Sequence, residues 1–372
     1  MRSSFHFFIY DIHRYFCTYT ESNGENMEEN VLNKPTQTES LIIVPKQRDA
    51  ALDNFRGLIL VLLIFFFFYN SLHFLPAFFK HAADLAYLKI ADYIAPCFCF
   101  IMAVAYSFGI QKIINKTGYK DAIKKYGVRF LALIGIGFLI FSVPQVVDGG
   151  GIGFNVFTAF GIAGLYSLFF IKFNKHLKII FGVCLILLHQ FLLLSPAYLN
   201  YVLLHDFGGM AGAVAWCGFI LISLAFAEYY KTNFKKATIF VFISIGVALI
   251  FIGLDIATHL TDGMLSNFFI AGKRRATLGF FAIMLAVSSG IFLLFSLFTK
   301  NIQLPVLTWL GRNSLIIYIF SAFLGRGLCE LANLVVTEAN VWLVLFGGLA
   351  ICESITITLS YFLYKYKIII TV

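Results

Sequence analysis

From residue 51 onward the chain is a succession of long apolar runs joined by short polar links. The clearest case lies between Leu52 and Met102. Two runs, about 58–78 and 93–111, carry almost no charge, and the link between them holds Lys80, His81, Asp84 and Lys89. Crossing a bilayer takes about 20 mostly apolar residues. By that rule ten helices are expected, at roughly 55–78, 91–111, 128–147, 154–172, 177–196, 210–230, 236–255, 276–299, 305–325 and 341–364. The runs are long and do not alternate as barrel strands do. A helix is then the remaining way to satisfy the backbone in lipid. The pattern predicts an all-α fold: a polytopic transmembrane helix bundle of about ten spans, forming one domain over residues 51–367. Glycines within the spans (Gly135, Gly137, Gly161, Gly164, Gly347, Gly348) are expected to permit close helix contact. Residues 1–50 are polar and without periodicity, which predicts a disordered cytoplasmic lead. Asp11, His13 and Arg14 interrupt any signal-peptide core there, and Met1 and Met27 are both compatible with the start.

Composition strengthens the membrane reading. Of 372 residues 60% are hydrophobic and only 13% charged, with mean hydropathy +0.86. A soluble domain carries about 25% charged residues. The formal charge of +9 does not point to nucleic acid, because the positives cluster at the ends of the apolar runs. Counted from Lys46 onward and leaving Arg312 aside, with the N-terminus in the cytoplasm, 18 basic residues fall inside and 6 outside, the bias expected of a membrane protein. Both termini are then cytoplasmic and the link holding His81 faces out. The outward triplet Lys273-Arg274-Arg275 is the exception that asks for a role. The seven cysteines are scattered through apolar runs without a histidine cluster, so neither a metal nor a disulfide framework is expected.

Several polar residues stand out against this background. Asn70 sits inside a phenylalanine-rich run, where an amide is costly unless it faces a cavity or partner. His81 follows eleven residues later. A neutral imidazole there can serve as a base or as an acyl-accepting nucleophile, and Asn70 can orient it or donate to a developing oxyanion; a structural histidine is the alternative. Asp53 and Arg56 are three apart and share a helix face, either as an interfacial ion pair or as a contact to a phosphorylated donor. Asp92 opens the second span, where capping competes with a substrate role. His205-Asp206-Phe207-Gly208-Gly209 is either a ligand-facing loop or a plain turn. Lys273, Arg274 and Arg275 can grip an anionic group. Arg312 and Asn313 lie within an apolar run, and a charge at such depth marks a site. His189, alone in the fifth span, reads as a satisfied core histidine. No Walker loop, Rossmann glycine pattern, HExxH or GxSxG occurs.

The opening block, with Asp53, Arg56-Gly57, Asn70, Lys80-His81-Ala82, Ala91-Asp92 and Pro96 to Met102, resembles the heparan-alpha-glucosaminide N-acetyltransferase family. HDFGGM (205–210), the basic link before Thr277, and Gly311-Arg312-Asn313-Ser314-Leu315 with Tyr318 are similar to later blocks of that family. Thr158-Ala159-Phe160 stands where the family has Gln-Arg, and Ala103 where it has Gly. The resemblance implies a bacterial plasma-membrane acyltransferase that carries acetyl from cytoplasmic acetyl-CoA to an extracytoplasmic sugar hydroxyl or amine. Acetyl-CoA is then the acyl donor and no metal is needed. His81 and Asn70 would be catalytic. Asp53, Arg56, Arg312 and Asn313 would meet the donor, and Asp92, His205, Asp206 and Lys273 to Arg275 the acceptor. The partners are the lipid bilayer, acetyl-CoA and a glycan or amino sugar, with no nucleic acid; a homodimer is left open. The competing reading is a transporter or flippase for a small anion or glycan.

Overall fold

The computed structural model describes residues 49–75, 88–142, 153–260, 275–299, 302 and 304–368. The polar lead, the link holding His81, and Lys273 with Arg274 lie outside the described residues.

Among the described residues there are twelve α-helices and no strands. They are α1 (Ala50–Ser71), α2 (Ile94–Thr117), α3 (Tyr119–Gly137), α4 (Val156–Ser167), α5 (Lys175–Leu192) and α6 (Pro196–Leu204). There follow α7 (Gly209–Thr232), α8 (Phe234–Leu260), α9 (Leu278–Thr299), α10 (Pro305–Arg312), α11 (Ser314–Asn333) and α12 (Val341–Lys365). The all-helical, polytopic architecture expected from the apolar runs is the one observed.

Eight of these helices are long and apolar enough to cross a membrane: α1, α2, α5, α7, α8, α9, α11 and α12. The expected third and fourth spans are α3 and α4. α3 spends its first half on charged residues and passes into a wider-wound turn at Phe138–Ser142. α4 with its tight last turn runs only from Val156 to Phe170. The expected ninth span is also different. It is broken at Asn313, whose backbone leaves helical geometry, into the short α10 and the long α11. Arg312 therefore ends a short helix instead of sitting midway along a span.

The helix ends follow local chemistry. Asp49 caps α1, its carboxylate accepting from the Ala51 and Leu52 amides at 3.0 and 3.3 Å. Asn155 caps α4 through the Phe157 and Thr158 amides, and its own amide donates to the Gly137 carbonyl at 2.9 Å, tying α4 to the end of α3. Gly118, with φ of 95°, lets the chain reverse between α2 and α3.

α7 is buried all round, from Ala213 through Ala227 with few breaks, and forms the centre. Trp216 lies in its first half among Phe160, Phe207, Phe219, Phe280 and Phe281. Gly182 of α5 and Gly218 of α7 face each other, and a Cβ on either would strike the other's carbonyl. The backbones approach closely there, as small residues allow in membrane bundles. Gly161 and Gly164 likewise admit Phe130 and Ile134 of α3, and Gly348 admits the ring of Phe68, whereas Gly135 and Gly347 meet nothing within 4 Å. The outer helices expose large apolar side chains, such as Phe242, Ile243, Leu249 and Ile250 on α8 and Leu343 and Phe346 on α12. Such faces suit lipid, not water.

The bundle has two ends. At the proximal end, where α1 begins, Asn54 is fully buried. Its amide donates to the Ile302 carbonyl at 2.7 Å, and its oxygen accepts from the Leu304 amide at 3.1 Å and the Thr308 hydroxyl at 2.9 Å. Asn54→Ala removes all three contacts at once. A buried polar group left without its partner costs about 1–3 kcal/mol, so the variant is expected to lose at least that much stability. Thermal unfolding in detergent, against wild type, reads the loss directly; an unchanged midpoint would contradict the clamp.

Candidate functional site

The four residues expected at the donor end gather around this clamp. Asp53 is buried in the first turn of α1, and Arg56, one turn on, pairs with its carboxylate at 3.6 Å. This is the shared face that the three-residue spacing implies. Arg56 also lies within electrostatic reach of Tyr126 on α3. Gly57 meets the backbone of Leu307, and Gly311 meets the backbone of Asp53. α1 and α10 therefore touch backbone to backbone, and Arg312 follows at the level of the first turn of α1. Its guanidinium lies over the Tyr364 ring of α12 at 4.6 Å, and its Nε is buried without a hydrogen-bond acceptor. Asn313 is buried and donates to the Ile368 carbonyl at 3.0 Å. The start of α1, the break between α10 and α11, and the end of α12 thus meet at one end. Asn54 was missed in sequence: an amide in the first turn of a span was the available signal.

The distal end carries the other set. Asn70 is the penultimate residue of α1. Two residues past the helix end, the His73 amide donates to the Asn333 side chain at the end of α11, at 3.0 Å. Asp92 is buried in the tight turn Ile90–Tyr93 that precedes α2, and its carboxylate accepts from the Lys89 amide at 3.1 Å. Capping, one of the two roles open to it, is thus observed.

His205 ends α6, a helix the sequence pattern did not indicate. Its ring packs edge-on against Phe154 and Tyr201. The next residues reverse the chain tightly. Phe207, Gly208 and Gly209 have φ of 57°, 75° and 62°. Glycine adopts this region freely, but for phenylalanine it costs roughly 1–3 kcal/mol. Packing of the Phe207 ring against Phe160 and Trp216 offsets that cost. Asp206 is left exposed at the corner. Arg275 precedes α9 and is half-buried; burial lowers its guanidinium pKa from the ordinary value. Its backbone carbonyl accepts from His189, which is itself fully buried, as a satisfied core histidine should be. His81, Lys273 and Arg274 lie outside the described residues. Among the described residues no group of three His, Cys, Asp or Glu side chains is placed to hold a metal.

Residues 48–220 match the family model for the catalytic region of heparan-alpha-glucosaminide N-acetyltransferase. Over that stretch the chain is similar to this family. No curated protein matches it. The family stretch runs from just before α1 into the first half of α7. It takes in Asp53, Arg56, Asn70, His81, Asp92, His205 and Asp206. Arg275, Arg312 and Asn313 lie beyond it, so the last two join the family stretch through packing on α1.

The Arg312–Tyr364 contact is measurable by itself. A cation over an aromatic ring contributes about 0.5–2 kcal/mol, more as it is desolvated. A double-mutant cycle with Arg312→Leu and Tyr364→Leu, read by thermal stability, is expected to give a coupling in that range. Additive effects would show that the ring does not hold the guanidinium.

Proposed function

We propose that the protein is a membrane acetyltransferase that accepts acetyl-CoA at the proximal, cytoplasmic end and delivers acetyl to a sugar hydroxyl or amine outside. The observation that carries this reading is α1 itself. The catalytic-region match begins just before it, Arg56 lies near its start and Asn70 near its finish. These are fourteen residues apart, about 21 Å at 1.5 Å per residue. An extended pantetheine arm covers such a length. Arg56 and Arg312 would then meet the phosphates at one end while Asn70 and His81 meet the thioester at the other. The fit is supported by the buried Arg312 Nε, a donor without an acceptor, since an anionic oxygen would satisfy it. Asn313 and Asp53 act here by holding the two arginine-bearing segments together.

In this reading the His81 imidazole takes the proton from the acceptor hydroxyl or amine as that atom attacks the acetyl carbon. Asn70 donates to the oxyanion that forms; its collapse breaks the thioester C–S bond, and the His81 imidazolium returns the proton to the departing CoA thiolate. Asp92, His205, Asp206 and the Lys273–Arg275 triplet orient the acceptor. Holding donor and acceptor together makes the transfer effectively unimolecular, so no acetyl-enzyme needs to accumulate. The bias of basic residues toward the proximal end supports its cytoplasmic placement.

The decisive experiment uses proteoliposomes with radiolabelled acetyl-CoA on one side and glucosamine on the other. Labelled N-acetylglucosamine should appear, dependent on protein. His81→Ala should lower the rate by about 10²–10⁴-fold, as loss of a general base does, and Asn70→Ala by about 10²–10³-fold, as loss of an oxyanion donor does. The base must be neutral, so activity should fall as pH drops below roughly 6.5, the ordinary imidazole value. Protein-dependent passage of glucosamine without acetylation would favour the transporter instead. Near-wild-type turnover in His81→Ala would overturn the site.

Topology is tested separately. In a cysteine-free background, Ala83→Cys should react with an impermeant thiol reagent in intact cells. Reaction only after permeabilisation would reverse the orientation.

A further inference from the structure

His189 is the most fully engaged histidine of the described chain. It sits in the last turn of α5, entirely buried, and both ring nitrogens are used. Nε2 is 2.8 Å from the carbonyl oxygen of Arg275, and Nδ1 is 2.8 Å from the hydroxyl of Tyr198 on α6. A carbonyl only accepts, so Nε2 carries the proton. In the neutral ring Nδ1 is then a lone pair, and Tyr198 donates to it. Burial first, and neighbouring Tyr201 second, raise the Tyr198 pKa, so the hydroxyl keeps the proton this role requires. The same hydroxyl lies 3.4 Å from the carbonyl of Ala211 in the first turn of α7, a packing contact once its single proton is given to Nδ1. One imidazole therefore links three elements: the end of α5, the α6–α7 corner that carries His205 and Asp206, and the residue that closes the basic triplet.

The next residue shows that this link is not needed to begin α9. Gln190, also buried, accepts from the Leu278 amide at 2.8 Å, and the Thr277 hydroxyl accepts from the Phe280 amide at 3.3 Å. Those two side chains already satisfy first-turn donors of α9. The His189 bond acts one step upstream, on the peptide of Arg275. It fixes the Arg275 peptide, and with it the position of a half-buried guanidinium.

We propose that His189 is a positioning residue for the acceptor: through the Arg275 carbonyl and Tyr198 it locks Arg275 to the α6–α7 corner, so that Arg275, His205 and Asp206 form one acceptor-facing surface. The proposal rests on the acetyl-transfer reading, in which the distal end takes the acceptor. His189 touches neither substrate in this scheme; it acts through Arg275.

The test uses the full chain in nanodiscs with His189→Phe, which fills the volume but makes neither bond, and His189→Gln, which can donate and accept. Initial rates are measured with glucosamine and acetyl-CoA each varied, and hydrogen exchange is followed over residues 275–278. His189→Phe should raise the glucosamine KM about tenfold, the equivalent of one hydrogen bond of ~1.4 kcal/mol. The acetyl-CoA KM and kcat should stay within about twofold, and the amides should exchange faster. His189→Gln should recover most of the lost acceptor affinity. If His189→Phe does not fold, Tyr198→Phe, which withdraws the donor to Nδ1, should show the same split more weakly. Equal loss for both substrates, or an unchanged glucosamine KM in a folded variant, would overturn the proposal. Should wild type transfer no acetyl to glucosamine, the acetyl-transfer reading fails. Exchange at 275–278 then still decides whether His189 holds the segment, and unchanged exchange overturns that too.

Discussion

At the start of α1 two glycines let two backbones touch. Gly57 lies on Leu307 and Gly311 on Asp53, and Asn54 binds the incoming chain at Ile302, Leu304 and Thr308. Everything at the proximal end depends on that approach. With a side chain in place of either glycine, α10 would move away from α1. The clamp would open, and Arg312 and Asn313 would leave the level of Asp53 and Arg56. The contact also explains why the chain breaks its helix at Asn313. A continuous span from Pro305 would carry Arg312 into the apolar layer, where a charge is expensive. The break keeps the guanidinium at the end of the bundle, over Tyr364, with Asn313 fastened to the Ile368 carbonyl.

The spans were readable from hydropathy because lipid imposes a length and a composition that short-range sequence records. The ion pair of Asp53 and Arg56 and the capping by Asp92 were readable for a similar reason, since each involves residues three apart. What escaped is set by residues far apart in the chain. The Asn54 contacts join positions about 250 apart, and those of His189 and Gln190 with the α9 approach join positions 86 and 88 apart. A lone polar residue in an apolar run announces that it needs a partner without saying which. The break at Asn313 escaped because Leu310 to Ile317 is still mostly apolar, and only packing on α1 makes the interruption favourable. α6 escaped because Pro196 reads as the end of a span, and the eight residues after it are too few to be read as a helix by length.

The two ends differ in kind. The proximal end is built from first and last turns packed backbone to backbone, with charges held by an ion pair and an aromatic ring. The distal end is built from corners: a positive-φ turn at Phe207 to Gly209, a capped turn before α2, and the approach to α9. Corners can present polar groups to a ligand without burying them in lipid, and their positions are set by side chains reaching across from neighbouring helices. α1 touches both ends, as α11 does. A ligand extended along α1 would meet fixed cations first and polar corners last.

That asymmetry bears on how a group transfer could be kept selective. A rigid cationic anchor holds the invariant part of a donor in register, so the reacting atom arrives at one depth, within the small tolerance that chemistry demands. The variable partner is better met by corners, because loops between rigid elements can change sequence without disturbing the bundle. The departures from the family pattern are compatible with this division. Thr158 stands where the resemblance leads one to expect Gln-Arg, and its buried hydroxyl, which makes no hydrogen bond, packs against Gly137 beside the Asn155 cap. This position lies at the distal end of α4, where an acceptor would be met, while the Asp53, Arg56 and Gly57 pattern at the proximal end is kept.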